Sequence, residues 1–403
     1  MLDVAAIRDA RERISDVALH TPLHPSHTFS ERTGADVHLK LETFQRTGAF
    51  KIRGATNKIR LLSESERDAG VVTASAGNHA QGVALAAQQS DVDATVVMPE
   101  FAPISKIQAT EGYGAEVVLH GVDYDEAQTR AHELAEQEGY TYLHAFDDED
   151  VMAGQGTIGL ELVEDLPELD TVVVPIGGGG LIAGIATAVK AELPDARVVG
   201  VQAEGAASVP QSLEAGEIVA RNEVDTIADG IATRRVGGKP FEVIQERVDE
   251  VVTVDDAEIA TAMVDLLERG KALVEGAGAV PLAAVLGEKF DYGADETIVP
   301  ALCGGNIDLN LLTTVVMRGL VERGRYIRIR TVLKDRPGAL DDLLDVISDA
   351  RANIYAIEHE RTSRQLSMNA AEIELDLETR GPEHAEELLA ALRERGYDVD
   401  VLA

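Results

Sequence analysis

Short apolar runs punctuate most of this chain at regular intervals. DVHLKLE (36–42), GVVTAS (70–75), DATVVMP (93–99), AEVVLH (115–120), DTVVVPI (170–176), RVVGVQAE (197–204), DEVVTV (249–254) and ETIVPAL (296–302) each read as a strand. Several are apolar without alternation, the pattern of parallel strands covered on both faces. Between them lie stretches of helical period such as HAQGVALAAQQ (79–89), PISKIQATEGYG (103–114) and LIAGIATAVKAEL (181–193). Strand and helix alternate, so the pattern predicts an open α/β fold. The pattern changes near Arg325. YIRIRTVLK (326–334) alternates sides, a turn follows at Arg336-Pro337-Gly338, and an amphipathic helix leads to a second strand. NAAEIELDLETR (369–380) gives a third strand, and residues 382–402 a helix and a last one. The order βαββαβ predicts a small α+β module from residue 326 to the end, separate from residues 1–325.

In open α/β sheets ligands bind beyond the carboxyl ends of the strands. Three such ends carry unusual residues: Ser75-Ala76-Gly77-Asn78-His79, the four glycines Gly177, Gly178, Gly179 and Gly180, and Cys303-Gly304-Gly305-Asn306. A tetraglycine ahead of a helix exposes backbone N–H groups and lets an anion approach closely, which suits a phosphate. Gly178-x-Gly180-x-x-Ala183 formally matches a dinucleotide fingerprint, with Glu204 closing the next strand, while plain helix–strand packing also accounts for small residues here. No lysine follows as a P-loop requires. The Ser75–His79 loop suits a carboxylate or phenolic oxygen, and equally an ordinary helix cap. Cys303 reads as a buried small hydrophobe or as a side chain that a ligand approaches, and not as a nucleophile. Glu275, among small residues, lines a cleft or sits at the surface of a helix start. His79, His144 and His359 lack metal-ligand spacing. In TFQRTGAFKIRGA (43–55), Lys51 follows Gly48, Ala49 and Phe50 into an apolar helix, the setting of a lysine that carries a covalent cofactor.

Composition narrows the classes. The 403 residues are 45% apolar, enough for two or three domains. One cysteine excludes an intrachain disulfide and fits a reducing compartment. The opening MLDVAAIRDARERIS reads as an amphipathic helix rather than a signal peptide, and no apolar run reaches the ~20 residues of a membrane span. The expectation is a cytoplasmic protein. Seventy-one acidic residues against 36 basic ones leave a net charge of −35, spread along the chain. That reads as a solvated surface suited to high salt rather than an acidic face for cationic partners, and nothing supplies a basic stripe for nucleic acid.

GAFKIRGA, SAGNHAQG, PIGGGGLIAG, EGAGA and CGGNID, in this order and spacing, resemble the pyridoxal-phosphate (PLP) enzymes of fold type II, and most closely the threonine dehydratases (threonine ammonia-lyases). The tail resembles an ACT domain, a small amino-acid-sensing module. The resemblance implies two open α/β subdomains around a cofactor cleft, the smaller at roughly 48–150 inserted in the larger. It implies that Lys51 tethers the cofactor, Phe50 stacks on its ring and Asn78 bonds the ring 3-hydroxyl. Gly177 to Gly180 and the Leu181 amide would hold the phosphate, Cys303 would face the pyridine nitrogen, and Glu275 would lie near the ring. Ser75, Ala76, Gly77 and His79 would receive the substrate carboxylate. The activity implied is β-elimination on threonine, giving 2-oxobutanoate and ammonia, with serine racemases and serine or hydroxyaspartate dehydratases as relatives sharing most motifs. In relatives that bind a divalent ion, a second acid follows the equivalent of Glu204 by six residues. Here that position is Pro210, so no metal is expected. An amino-acid effector, branched-chain by resemblance and tied to isoleucine biosynthesis, is expected at Asp335, Gly338, Ala339 and Leu340, with Asn353 and Ile354 starting the next strand close by. Modules of this kind pair, which implies a homo-oligomer, a dimer or a tetramer.

Overall fold

A computed structural model describes residues 2–362 and 366–403. Its strands, in chain order, are β1 (Leu23–Pro25), β2 (Asp36–Leu41), β3 (Val71–Ala74), β4 (Ala94–Met98), β5 (Glu116–Leu119), β6 (Thr141–Tyr142), β7 (Thr171–Pro175), β8 (Arg197–Ala203), β9 (Glu250–Val254), β10 (Thr297–Leu302), β11 (Tyr326–Lys334), β12 (Asn353–Glu360), β13 (Ala370–Glu378) and β14 (Val399–Val401). All eight strands expected before residue 325 are present. Two more, β1 and β6, were not expected, because three- and two-residue segments are too short to show a period.

The chain divides into two compact units, one up to Leu312 and one from Thr313 to Ala403. The division falls inside the helix Leu309–Glu322. The first unit holds two sheets. One has six strands in the order β1-β2-β10-β7-β8-β9, parallel except for β1. The other has four parallel strands in the order β5-β4-β3-β6. β4, β7 and β10 are buried at every residue, as unbroken apolar runs require when helices cover both faces. The small sheet rests on a core that includes Ile52, Ile59, Val83, Leu85, Val96 and Met98. Helices of this unit begin on capping boxes at Ser63 with Glu66 and at Asp255 with Glu258, which satisfy N–H groups that would otherwise lack partners.

The second unit is the expected βαββαβ module, with an antiparallel sheet in the order β12-β13-β11-β14. Burial alternates along β11 and β13, and Ile327, Ile329, Ile373, Leu375 and Leu377 pack with Leu343, Ile347, Leu388 and Leu392 of its two helices. Among the described residues no helix is long and apolar enough to cross a membrane.

Candidate active site

Three strand ends and one helix start meet in the first unit. Lys51 is the first residue of the helix Lys51–Arg60. The strap before it is stitched to the loop after β10. Phe50 N–H donates to the Cys303 carbonyl (3.1 Å), Gly305 N–H donates to the Gly48 carbonyl (2.9 Å), and Ala49 and Gly304 form an antiparallel bridge. Gly48 has φ +69°, and a Cβ there would lie 2.4 Å from Asn306 Oδ1, so only glycine follows this path. The half-buried Lys51 donates through Nζ to the Ala145 carbonyl (2.8 Å), and Nζ lies 5.1 Å from the centre of the Phe50 ring. Burial lowers its pKa to about 8, against the opposing influence of Cys303 and Glu275.

Asn78 begins the helix Asn78–Gln88 beyond β3. Its amide is held from both sides. Nδ2 donates to Glu275 Oε1 (2.6 Å), and Oδ1 accepts from Asn306 Nδ2 (2.9 Å), which also donates to the Thr47 carbonyl (2.5 Å). Glu275 is therefore no surface acid. It is 4% exposed and precedes the helix Gly276–Leu286 without capping it through its side chain. Burial, then the charge of Asp229, raises its pKa to about 7, while the Asn78 bond opposes the shift. In the Ser75–His79 loop, Gly77 N–H donates to Ser75 Oγ (3.2 Å) and Ala76 packs against the core of the small sheet. His79 is buried with Nε2 3.3 Å from the Leu143 carbonyl. Burial and then Lys51 lower its pKa to about 3, so the ring is neutral. Cys303, also buried, directs Sγ to the Ala277 carbonyl (3.6 Å). Burial and then Glu275 push its pKa well up, so the thiol keeps its proton.

The four glycines follow β7, and Gly180 opens the helix Gly180–Glu192, with the buried Leu181 next. A Cβ on Gly178 would lie 2.2 Å from the Phe146 ring, one on Gly180 2.8 Å from the Phe146 carbonyl, and one on Gly177 2.9 Å from Ile231 Cα. Gly179 has φ +91°. No side chain fits along this turn, which leads into the N–H groups of a helix start.

Phe146 belongs to a segment that gave no clear signal in the sequence. His144 Nδ1 accepts from the N–H groups of Phe146 (3.2 Å) and Asp147 (2.9 Å). Asp147 in turn accepts from the N–H groups of Gly238 (3.0 Å) and Lys239 (2.9 Å), at the start of the helix Gly238–Arg247. Residues 144–147 thus link Lys51, through Ala145, to the glycine turn. A second group also went unread. Arg53, 1% exposed and two residues after Lys51, bonds Glu42 (2.9 and 2.8 Å) and Glu161 (2.6 and 3.0 Å), and the fully buried Lys40 bonds Glu161 (2.7 Å). Burial opposes the Arg53 charge, yet the two carboxylates outweigh it and raise its pKa above the usual arginine value. Its members come from β2, the following turn and the helix Glu149–Asp165, so no local motif announces them.

In the second unit, Gly338 (φ +83°) precedes the helix Ala339–Asp349, with Leu340 in its first turn. Asp335 donates its N–H to the Asn369 carbonyl (2.8 Å) and pairs with Arg361 (3.3 Å). Asn353 does not lie close by. It pairs with Glu378, which also pairs with Tyr326 at the beginning of β11, while Lys334 at the end of β11 pairs with Ala370. Asn353 and Ile354 therefore stand a full strand away from Asp335, about 30 Å for nine residues. The physical reason is the connecting helix, which returns the chain to the end of the sheet where β11 began. Among the described residues no group of three His, Cys, Asp or Glu side chains is arranged for a metal.

Residues 14–304 match the family described as pyridoxal-phosphate dependent enzyme, and residues 324–395 match the ACT domain. This chain belongs to the pyridoxal-phosphate dependent enzymes and carries a C-terminal ACT domain. Over 402 residues it is 49% identical to the L-threonine ammonia-lyase of Geobacter sulfurreducens, with all of both chains covered. It resembles the processed form of threonine deaminase isoform 2 from Solanum lycopersicum (TM-score 0.75, 42% identity, 78% of this chain and 92% of that one). It is equally similar in fold to maize serine racemase (TM-score 0.75, 37% identity, 79% and 98%).

Proposed function

We propose that this chain is a PLP-dependent lyase that deaminates L-threonine to 2-oxobutanoate and ammonia. The observation that carries the reading is the Lys51 amine, shifted to a pKa of about 8 and linked through residues 144–147 to a side-chain-free turn. The full-length relative named L-threonine ammonia-lyase supports the substrate.

The residues fit the cofactor. Gly177, Gly178, Gly179, Gly180 and the Leu181 amide would hold its phosphate with backbone N–H groups at the start of the helix Gly180–Glu192. Lys51 would hold it covalently and Phe50 would stack on it. Asn78 would meet the 3-hydroxyl with the amide N–H that Glu275 leaves free. When bound, PLP supplies the electron sink for charge left at the substrate Cα. Lys51 supplies the base. With a pKa near 8 a useful fraction is neutral at neutral pH, ready to take the Cα proton. Glu275 and Asn306 fix Asn78 in one orientation. Cys303, which keeps its proton, would lie toward the pyridine nitrogen as a neutral thiol and would not hold that nitrogen protonated, leaving the cofactor a weaker electron sink. Ser75, Ala76, Gly77 and His79 receive the substrate carboxylate at a helix start.

Regulation by a branched-chain amino acid is part of the same reading, as is a place in isoleucine biosynthesis. Catalysis is assigned to residues 1–325, with a smaller subdomain at roughly 48–150, and sensing to 326–403. Asp335, Gly338, Ala339 and Leu340 of one chain would meet Asn353 and Ile354 of a second copy. Their separation within one chain supports a homo-oligomer, dimer or tetramer. We place the enzyme in the cytoplasm, without a resident metal.

The visible spectrum of the purified protein, taken before and after adding threonine, together with a keto-acid assay, tests the reading. A colourless protein, or colour that threonine leaves unmoved with no 2-oxobutanoate formed, would overturn it. Serine chemistry, racemisation or dehydration, is the second reading, favoured by the likeness to maize serine racemase. One methyl group is worth ~1–3 kcal/mol of discrimination, so kcat/KM for threonine should exceed that for serine by roughly 10–200-fold if the first reading holds.

A further inference from the structure

Lys51 and Asn78 head two helices whose opposite ends meet elsewhere. The helix Lys51–Arg60 ends in Arg60, and the helix Asn78–Gln88 runs into Gln89, Ser90 and Asp91. These residues, with Arg13 and Arg67, line an open cavity of about 500 Å³. All three arginines are half-buried. Arg60 is neutralised by Asp16 and donates to the Arg13 carbonyl (2.5 Å). Arg13 makes one side-chain bond, to Asn57 Oδ1 (2.6 Å), and Arg67 makes one, to the Ser90 carbonyl (2.6 Å). Among the described residues neither has a carboxylate partner, in a chain with 71 acidic residues. A guanidinium carries five N–H donors, so most of those on Arg13 and Arg67 are unspent.

Arginines in a last helical turn complement the negative end of the helix, and each of the three sits at such an end. That accounts for one positive charge per helix. It leaves unexplained why three such ends converge on one cavity whose single lining acid, Asp91, makes no ion pair with any of them. Two guanidinium forks without carboxylate partners form a donor set for a multiply charged oxyanion. The cavity is of small-ligand size, larger than a bare phosphate needs.

We infer that this cavity is a second anion site, separate from the glycine turn, which takes a small phosphate-bearing molecule between Arg13 and Arg67. The inference stands independently of the proposed reaction. Inorganic pyrophosphate is a suitable probe, titrated calorimetrically into the full-length holoenzyme at constant ionic strength, so that the catalytic phosphate turn is already filled. Saturable binding with a stoichiometry of one per chain is expected. It should weaken at least tenfold in Arg13→Gln/Arg67→Gln and stay within twofold in the control Arg318→Gln/Arg395→Gln, which removes the same charge from exposed positions. Arg67→Gln alone, expected to weaken binding at least threefold, keeps the test readable if the double variant folds poorly. No saturable binding to the wild type at millimolar pyrophosphate, or equal weakening in the control, would overturn the site.

Discussion

The two units treat charge in opposite ways. In the first, Lys40, Glu42, Arg53, Glu161 and Glu275 are buried, and Lys51, Glu275 and Cys303 all titrate away from their ordinary values. In the second, Arg330 pairs with Asp400 across the sheet with both side chains well exposed, at 38 and 68%. Burial changes what a group does with a proton, which bond-making chemistry needs. An exposed ion pair contributes little to stability. The units also differ in completeness. One chain ties Lys51, Asn78, the glycine turn and Cys303 together through hydrogen bonds and close approaches, whereas it leaves Asp335 and Asn353 at opposite ends of a sheet.

The sharpest test of that contrast is Lys51→Ala. It should abolish the visible absorbance of the bound cofactor and cut turnover by at least ~10²–10⁴-fold, since proton transfer alone is worth that much. A coloured, active variant would remove the central assignment. Next in size is the buried charge group. Glu161→Ala should lower stability in denaturant titrations by about 3–5 kcal/mol, because it takes the shared carboxylate from the fully buried Lys40 and leaves the buried Arg53 with Glu42 alone. Arg330→Ala, which removes an exposed pair with Asp400, should cost about 0–1 kcal/mol. Equal losses would erase the distinction between the units. Cutting the chain after residue 325 should leave turnover largely intact and remove the effector's influence on it, a coupling of about 5–150-fold in systems of this kind. A truncated enzyme that still responds would place the effector in the first unit.

A pH experiment addresses Lys51 directly. Its folded pKa of about 8 lies below the ordinary lysine value, so the neutral amine needed to capture an aldehyde grows in as pH rises through about 8. The rate at which apoenzyme regains colour with added PLP should climb over that interval and level off above it. A rate flat from pH 7 to 9 would contradict the lowered pKa. The smallest effect expected is on stability in salt. At −35 the chain repels itself, and screening from low to high salt should raise the melting temperature.

Much of the candidate site was legible because three of the five motifs fall at strand ends, where ligands bind in open α/β sheets, and the other two open helices. Glu275 was ambiguous in the sequence, since an acid at a helix start is common on surfaces. Its burial against Asn78 depends on an approach between residues 197 positions apart. Phe146 and Asp147 lie in an undistinguished stretch, HAFDD, and matter only because the glycine turn and the helix Gly238–Arg247 arrive beside them. The close placement expected for Asn353 failed for a different reason. Sequence order gives strand succession, but which end of a sheet a strand starts from is set by how its connecting helix returns.

By itself the sequence determined the strand-and-helix alternation, the change of module near Arg325 and the loops that carry the chemistry. These are local, since hydrophobic period and glycine-rich turns are written in consecutive residues. Tertiary structure alone decided which charges are buried, how the Asn78 amide is held and where the Lys51 amine points. Those follow from desolvation and from contacts between segments that only folding brings together, and no consecutive stretch of chain encodes them.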